Sequence, residues 1–201
     1  MSKNLLVCGG LPRSATTYLC TEISNYNNVF ASKVKESYLF ERSDLFIDLK
    51  LKMFQRDKVY LDFTPEYIFN KIALKKIAMR RINCFFVLRE YHEYRRSLEA
   101  YLSINRMNND YLLHMTESDF IEATQFVKDN FLSFKFEDVT KNSEEVILRI
   151  QKEFRIDLGD KINSKIKKNS SRKQEHFISS VLHNNFPGTT KIVRSALLGI
   201  V

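Results

Sequence analysis

Apolar and polar positions along the chain divide it into short segments of two periods. Asn4 to Cys8 (NLLVC) is an apolar run long enough for a strand and too short for a stable helix. Gly9-Gly10-Leu11-Pro12 breaks it. Thr16 to Ser24 follows as a helix, with Leu19 and Ile23 on one face. Val29 to Lys33 and Val59 to Phe63 read as further strands, and Tyr38 to Phe54 and Ile68 to Met79 as amphipathic helices. Ile82 to Leu88 (INCFFVL) is apolar almost throughout, as expected of a central parallel strand covered on both faces. Tyr94, Leu98, Tyr101 and Leu102 then recur at helical spacing, which reads as a core-facing stripe.

Beyond a polar, irregular stretch at Asn105 to Asp110, the pattern predicts a helix over Ser118 to Lys128. A short strand follows over Phe131 to Phe136, and then a helix over Glu144 to Phe154. Lys165 to Lys173 reads as a basic loop and Phe177 to Leu182 as a last helix. Strands alternating with helices predict an α/β fold in three layers, a mostly parallel sheet with helices on both faces. The whole of 1–201 is expected to form one domain. Such sheets bind ligands beyond the carboxyl ends of their strands. Chemistry is therefore expected in the loops after Cys8 and after Leu88.

Composition changes this picture in three ways. Hydrophobic residues make up 44% of the 201 residues, with 16 Phe and 9 Tyr, which excludes a disordered chain. Cys8, Cys20 and Cys84 lie in apolar contexts with no CxxC or zinc spacing, so they read as small buried hydrophobes and no metal site is expected. No apolar run reaches the ~18 residues of a membrane helix, and the N-terminal run reads as a strand rather than a secretory segment. The expectation is a soluble cytoplasmic protein without stable membrane insertion. The net charge of +8 suits an anionic partner. Its clusters, Lys75-Lys76, Arg80-Arg81 and Lys165 to Lys168, are too short and scattered for a nucleic-acid stripe, so no nucleic acid is expected.

The first strand-to-helix turn, Gly9-Gly-Leu-Pro-Arg-Ser-Ala-Thr-Thr17, combines small residues, hydroxyls and Arg13 ahead of a helix N-terminus. That chemistry cradles an anion. A nucleoside-triphosphate loop would read GxxxxGK[ST]; here no Lys precedes the Thr pair, and Ala15 replaces the second Gly. An ordinary turn with Ser14 or Thr16 as N-cap is the plain alternative.

This loop resembles the P-loop-like 5′-phosphosulfate loop of sulfotransferases that use 3′-phosphoadenosine 5′-phosphosulfate (PAPS). Three further segments agree in order. Lys35-Glu-Ser-Tyr-Leu-Phe40 is similar to the Lys-Glu-x-x-Phe-Phe segment of the carbohydrate branch. Leu61-Asp-Phe-Thr-Pro-Glu-Tyr67 is similar to its Glu-Lys-Ser/Thr-Pro-x-Tyr segment, with Phe63 in place of Lys. Arg89, then Ser97 eight residues later and Tyr101 four beyond, resembles the 3′-phosphate motif, with Glu90-Tyr91 where the family has Asn-Pro or Asp-Pro. Phe136-Glu-Asp-Val139 and the helix after it resemble the Tyr-Glu-Asp-Leu segment, and Asn169-Ser-Ser171-Arg172 the late nucleotide loop.

The resemblance implies sulfuryl transfer from PAPS to a hydroxyl or amine of a small-molecule or carbohydrate acceptor, with release of 3′-phosphoadenosine 5′-phosphate (PAP) and no metal. Pro12, Arg13, Ser14, Ala15, Thr16 and Thr17 would hold the 5′-phosphosulfate. Arg89 and Ser97 would hold the 3′-phosphate, with Ser171 and Arg172 closing over the nucleotide. Arg13 and Lys35 would act on the developing charge, and Glu36, or one of His92, His114, His176 and His183, would be the base. Asp62 and Thr64 either line the cleft or end a strand. For Arg89 and Ser97 to meet, a bend over Glu90–His92 is expected before the helix begins. Asn105–Thr116 and Lys173–Thr190 are the expected acceptor contacts. A divergent P-loop nucleotide kinase and a non-catalytic nucleotide- or nucleic-acid-binding module are the alternative functions.

Overall fold

The computed structural model describes residues 4–31, 36–54, 57–105 and 116–162. Five parallel strands, β1 (Leu5–Gly10), β2 (Val29–Ala31), β3 (Val59–Phe63), β4 (Asn83–Leu88) and β5 (Leu132–Lys135), lie in the order β2-β3-β1-β4-β5. The chain runs outward from β1 through β2, returns to β3, then crosses to β4 on the other side of β1. The order therefore reverses around β1, and ligands of such sheets sit at that reversal, beyond the carboxyl ends.

Seven helices are described: α1 (Thr16–Ile23), α2 (Asp44–Lys52), α3 (Lys71–Met79), α4 (Tyr91–Asn105), α5 (Glu117–Asn130), α6 (Phe136–Lys141) and α7 (Ser143–Phe154). The sheet separates two apolar cores. On one face Leu5, Val7, Cys84 and Phe86 pack with Ile47 of α2, Leu74 and Ile77 of α3, Tyr94 and Leu98 of α4, and Phe120 and Val127 of α5. On the other, Leu6, Cys8, Phe85 and Val87 pack with Leu19 and Ile23 of α1, Val139 of α6, and Val146, Ile147 and Ile150 of α7. Central strands buried on both faces are why their sequences run apolar without alternation. The three cysteines are buried free thiols. Among the described residues, no helix is long and apolar enough to cross a membrane.

Element boundaries shift wherever side chains compete for backbone groups. The helix expected over Tyr38 to Phe54 is a 3₁₀ turn at Leu39–Glu41 followed by α2, because Ser43 caps α2 by accepting from the Phe46 N–H. The helix expected from Ile68 is likewise a 3₁₀ turn, Pro65–Phe69, then α3, whose Asn70 cap accepts from the Ile72 and Ala73 N–H groups. Phe136, expected to end a strand, opens α6 instead. α5 starts at a reciprocal capping box between Thr116 and Asp119. Part of the basic surface is engaged internally: Arg80 pairs with Asp44 and Asp48, and Lys76 donates to the Arg42 carbonyl, tying α3 to α2. The readings at Ser32, Lys33, Arg106–Asp110, Lys165–Lys173 and Phe177–Leu182 lie outside the described residues.

The two glycines ending β1 are set by close approach. A Cβ on Gly9 would stand 2.3 Å from the Phe86 ring, and one on Gly10 would stand 2.6 Å from the Val87 carbonyl oxygen. Gly10 also has φ +152°, which side chains rarely adopt. Gly9→Ala should cost about 1–3 kcal/mol by overpacking a buried ring. The check is the midpoint of urea unfolding, with an unchanged slope indicating that only native stability moved.

Candidate active site

The loops after β1, β3 and β4 emerge side by side. Leu11 N–H donates to the Val87 carbonyl at 3.2 Å, and Thr64 N–H donates to the Cys8 carbonyl at 3.2 Å. The loop between β1 and α1 therefore lies across the β4 end. Ser14 is buried and braces it: its N–H donates to the Leu11 carbonyl, and its hydroxyl is shared between the Leu11 and Val87 carbonyls. Neither Ser14 nor Thr16 caps α1, as a plain turn would require. The cap position is Ala15, in the left-handed region at φ 62° with no side-chain cap.

Arg13, at φ 68°, is left-handed too. A non-glycine residue held there costs about 1–2 kcal/mol. Ala15 occupies the place of the second glycine of a triphosphate loop, and its backbone conformation explains why glycine is favoured there. Of the six non-glycine residues with positive φ among the described residues, four are Arg13, Ala15, Glu36 and Tyr38. Strain gathered in two short loops is a mark of functional segments. The N–H groups opening α1 have no partner within the helix, which makes that end receptive to an anion. Thr17 is exposed, Pro12 is half-buried, and Thr16 is buried with its methyl group facing Gly10.

Two arginines converge on this loop. The Arg89 guanidinium donates through Nη1 to the Arg13 carbonyl at 3.2 Å and through Nε to Glu93 at 3.3 Å, and lies 4.2 Å from the centre of the Phe136 ring. The Arg13 guanidinium lies 4.7 Å from the centre of the Tyr101 ring, on α4. Tyr101 is 37% exposed, so it is not the core residue that its helical spacing suggests. Half-buried Ser97 lies one turn before it on α4. The bend expected over Glu90–His92 is shorter than that. α4 begins at Tyr91, with the Glu90 carbonyl accepting from Tyr94 N–H at 2.9 Å, so only Arg89 and Glu90 are left to turn the chain. With Glu90-Tyr91 at this point and no proline, the helix is free to start early. His92 is exposed, its ring against Tyr91.

Across the sheet edge, Glu36 to Tyr38 are held by Asp62. This carboxylate is buried on β3 and accepts from Ser37 Oγ at 2.7 Å, Thr64 Oγ1 at 2.9 Å and Tyr67 Oη at 2.9 Å. Thr64 Oγ1 in turn accepts from Tyr38 N–H, and Tyr67 Oη from Phe40 N–H. Burial pushes the Asp62 carboxyl up from its ordinary value, against the three hydrogen bonds that favour its charge. Of the two readings open for Asp62 and Thr64, cleft lining or strand end, the structure gives the strand end.

Glu36 accepts from Tyr38 Oη at 3.2 Å. Glu66 is close enough to repel it: its own carboxyl is pushed up by burial and by the Glu36 charge, and one of its oxygens is buried with no hydrogen-bond partner among the described residues. Burial and the Glu66 and Glu36 charges also hold the Tyr38 phenol protonated, well above its ordinary value. An open cleft of about 420 Å³ borders this group, lined by Glu41, Glu66, Phe69, Asn70, Lys71 and Ile72.

The structure thus brings Arg13, Arg89 and α4 together around the loop, with Glu36 on the neighbouring edge. Lys35, Ser171, Arg172, His114, His176 and His183 lie outside the described residues, as do the expected acceptor segments apart from Asn105 and Thr116. Sequence reasoning missed Glu66, Tyr38 and Glu93. A glutamate directly after the Thr64-Pro65 turn was the available signal for Glu66. For Glu93 it was a glutamate four residues after Arg89.

The upward shifts of Asp62 and Glu66 have a stability consequence. An acid whose folded value lies above its unfolded one binds more protons when folded, so stability falls as pH rises from about 3.9 for Asp, or 4.3 for Glu, through the folded values. Asp62→Asn removes one of these titrations. Its urea midpoint should therefore change less between pH 4.5 and pH 7.5 than that of wild type. Parallel profiles for the two proteins would show that Asp62 titrates normally.

Among solved structures, the chain is similar to a sulfotransferase from Alicyclobacillus acidocaldarius, with a TM-score of 0.57 at 11% sequence identity. The match covers 89% of this chain and 94% of that one. No protein-family model and no curated protein matches the chain. At this identity the likeness establishes architecture: the chain has the three-layer α/β fold with a parallel sheet that this sulfotransferase has.

Proposed function

We propose that the protein transfers a sulfuryl group from PAPS to a hydroxyl or amine of a small-molecule or carbohydrate acceptor, releasing PAP. The observation that carries this reading is the strained loop of Arg13 and Ala15. It is tied by Arg89 to the end of β4, and the Glu36 carboxylate stands on the adjoining edge. Two arginines at one loop suit a ligand with two separate anionic groups better than one with a single phosphate. The fold shared with a sulfotransferase supports the reading as well.

PAPS supplies an activated sulfuryl group and a phosphate leaving group. The residues of the chain do the rest. Arg13, the opening N–H groups of α1 and the Thr17 hydroxyl neutralise the 5′-phosphosulfate, and Ser14, Pro12, Ala15 and Thr16 shape the loop that presents them. Arg89 and Ser97 hold the 3′-phosphate, and Ser171 and Arg172 complete the nucleotide site. Lys35 stabilises the leaving oxygen. Glu36 takes the proton of the acceptor at its carboxylate while Tyr38 orients it. The acceptor occupies the cleft beside Glu66, where Glu41 and Glu66 outnumber Lys71 and favour a neutral or amine-bearing acceptor over an anionic one. We expect the protein to work in the cytoplasm.

Calorimetric titration of PAP and adenosine 5′-monophosphate tests the nucleotide assignment. Wild type should prefer PAP, and Arg89→Ala should lose about 1.5–3 kcal/mol of PAP binding and clearly less for adenosine 5′-monophosphate, which feels only the loosened loop. No preference for PAP in wild type, with thermal stabilisation by ATP–Mg²⁺ or single-stranded RNA instead, would replace the assignment with a kinase or an RNA-binding module. Glu36→Gln tests the base: transfer should fall by about 10²–10⁴ while PAP affinity holds within a few-fold. Near-normal turnover would move the role to a histidine.

A further inference from the structure

We propose that Glu93 is a stand-in anion for the 3′-phosphate: its carboxylate holds Arg89 in the nucleotide-free protein and must yield when the phosphate arrives. This inference rests on the PAPS reading above. The Arg89 side chain is only 15% exposed, pressed on Phe136 and bonded to the Arg13 carbonyl. A guanidinium so nearly buried is costly without a counter-charge. The backbone carbonyl and the aromatic face supply partial charge; Glu93, at 3.3 Å from Nε, supplies the full one. Arg89 is thereby kept in one orientation, and through its bond to Arg13 it also keeps the phosphate loop in shape.

The pairing has a second side. Glu93 lies in the first turn of α4, where the helix dipole favours a negative charge. A phosphate bound by Arg89 would draw on the same donors and the same field. A phosphate and a carboxylate sharing one guanidinium repel each other, so the two compete. Arg89 is held from within the protein, whereas the Glu93 side chain is 45% exposed and can turn outward to water. The carboxylate is therefore the partner that moves. The exchange breaks no covalent bond; one Nε–H···O contact is traded for another. Glu93 lowers the affinity for 3′-phosphorylated nucleotide while keeping the empty site ordered, which favours release of PAP after transfer.

The experiment is calorimetric titration of PAP and of adenosine 5′-monophosphate into wild type, Glu93→Gln and Glu93→Asp, each first checked by thermal melting. Gln keeps an acceptor for Arg89 Nε and removes the charge; Asp keeps the charge. Glu93→Gln should tighten PAP roughly three- to tenfold and leave adenosine 5′-monophosphate within about twofold, whereas Glu93→Asp should stay within about twofold of wild type for both. Unchanged or weaker PAP binding in Glu93→Gln, in a protein whose wild type still prefers PAP, overturns the role of Glu93 alone and makes the ion pair a brace for the loop. Equal binding of the two nucleotides by wild type overturns the PAPS reading, and this inference falls with it.

Discussion

The candidate site depends on a buried carboxylate that is not itself part of the proposed chemistry. Asp62 lies at the end of β3 with its oxygens engaged by Ser37, Thr64 and Tyr67. The groups come from the segment that follows β2, from the residue just after β3, and from the 3₁₀ turn beyond it. A carboxylate out of water is tolerable only when its oxygens are satisfied, so the three pieces are pulled to one point. Glu36 and Tyr38 flank the pinned Ser37, and both have positive φ. The anchor at Ser37 holds that strained segment in place.

The opposite edge follows the same logic with charges reversed. Here a cation is mostly shielded from water, and the groups around it are a carbonyl, an aromatic face and Glu93. Arg89 fastens the β1–α1 loop to the β4 end from outside, while Ser14 fastens it from beneath through the Val87 carbonyl. The loop thus holds two non-glycine left-handed residues without glycine's freedom. Cation and anion anchors at opposite sides of β1 create a site with two electrostatic halves. One is positive at the loop, where the Arg89 guanidinium meets Arg13. The other is negative around Glu36, Glu66 and Glu41, where burial first, and then the Glu36 and Glu41 charges, push the Glu66 carboxyl up. An anionic donor and a neutral or amine-bearing acceptor would be sorted by that division.

Sequence by itself determined the layers and where to look. Parallel strands buried on both faces must be apolar at successive positions, which is why Ile82 to Leu88 was legible as a central strand, and the glycine and proline break after Cys8 located the anion loop. Helix starts were less legible, since they turn on which polar side chain wins a backbone N–H: Ser43, Asn70 and Thr116 each set a boundary that hydrophobic spacing cannot see. The pairing of Asp62 with Ser37, of Arg13 with Tyr101, and of Glu36 with Glu66 across Tyr38 was decided only by tertiary structure. These contacts join residues brought together by the sheet order. Hydrophobic period reports which face a residue shows to its own element; the charge and hydrogen-bond partners that set a site's chemistry come from other elements, and their positions exist only once the sheet is assembled.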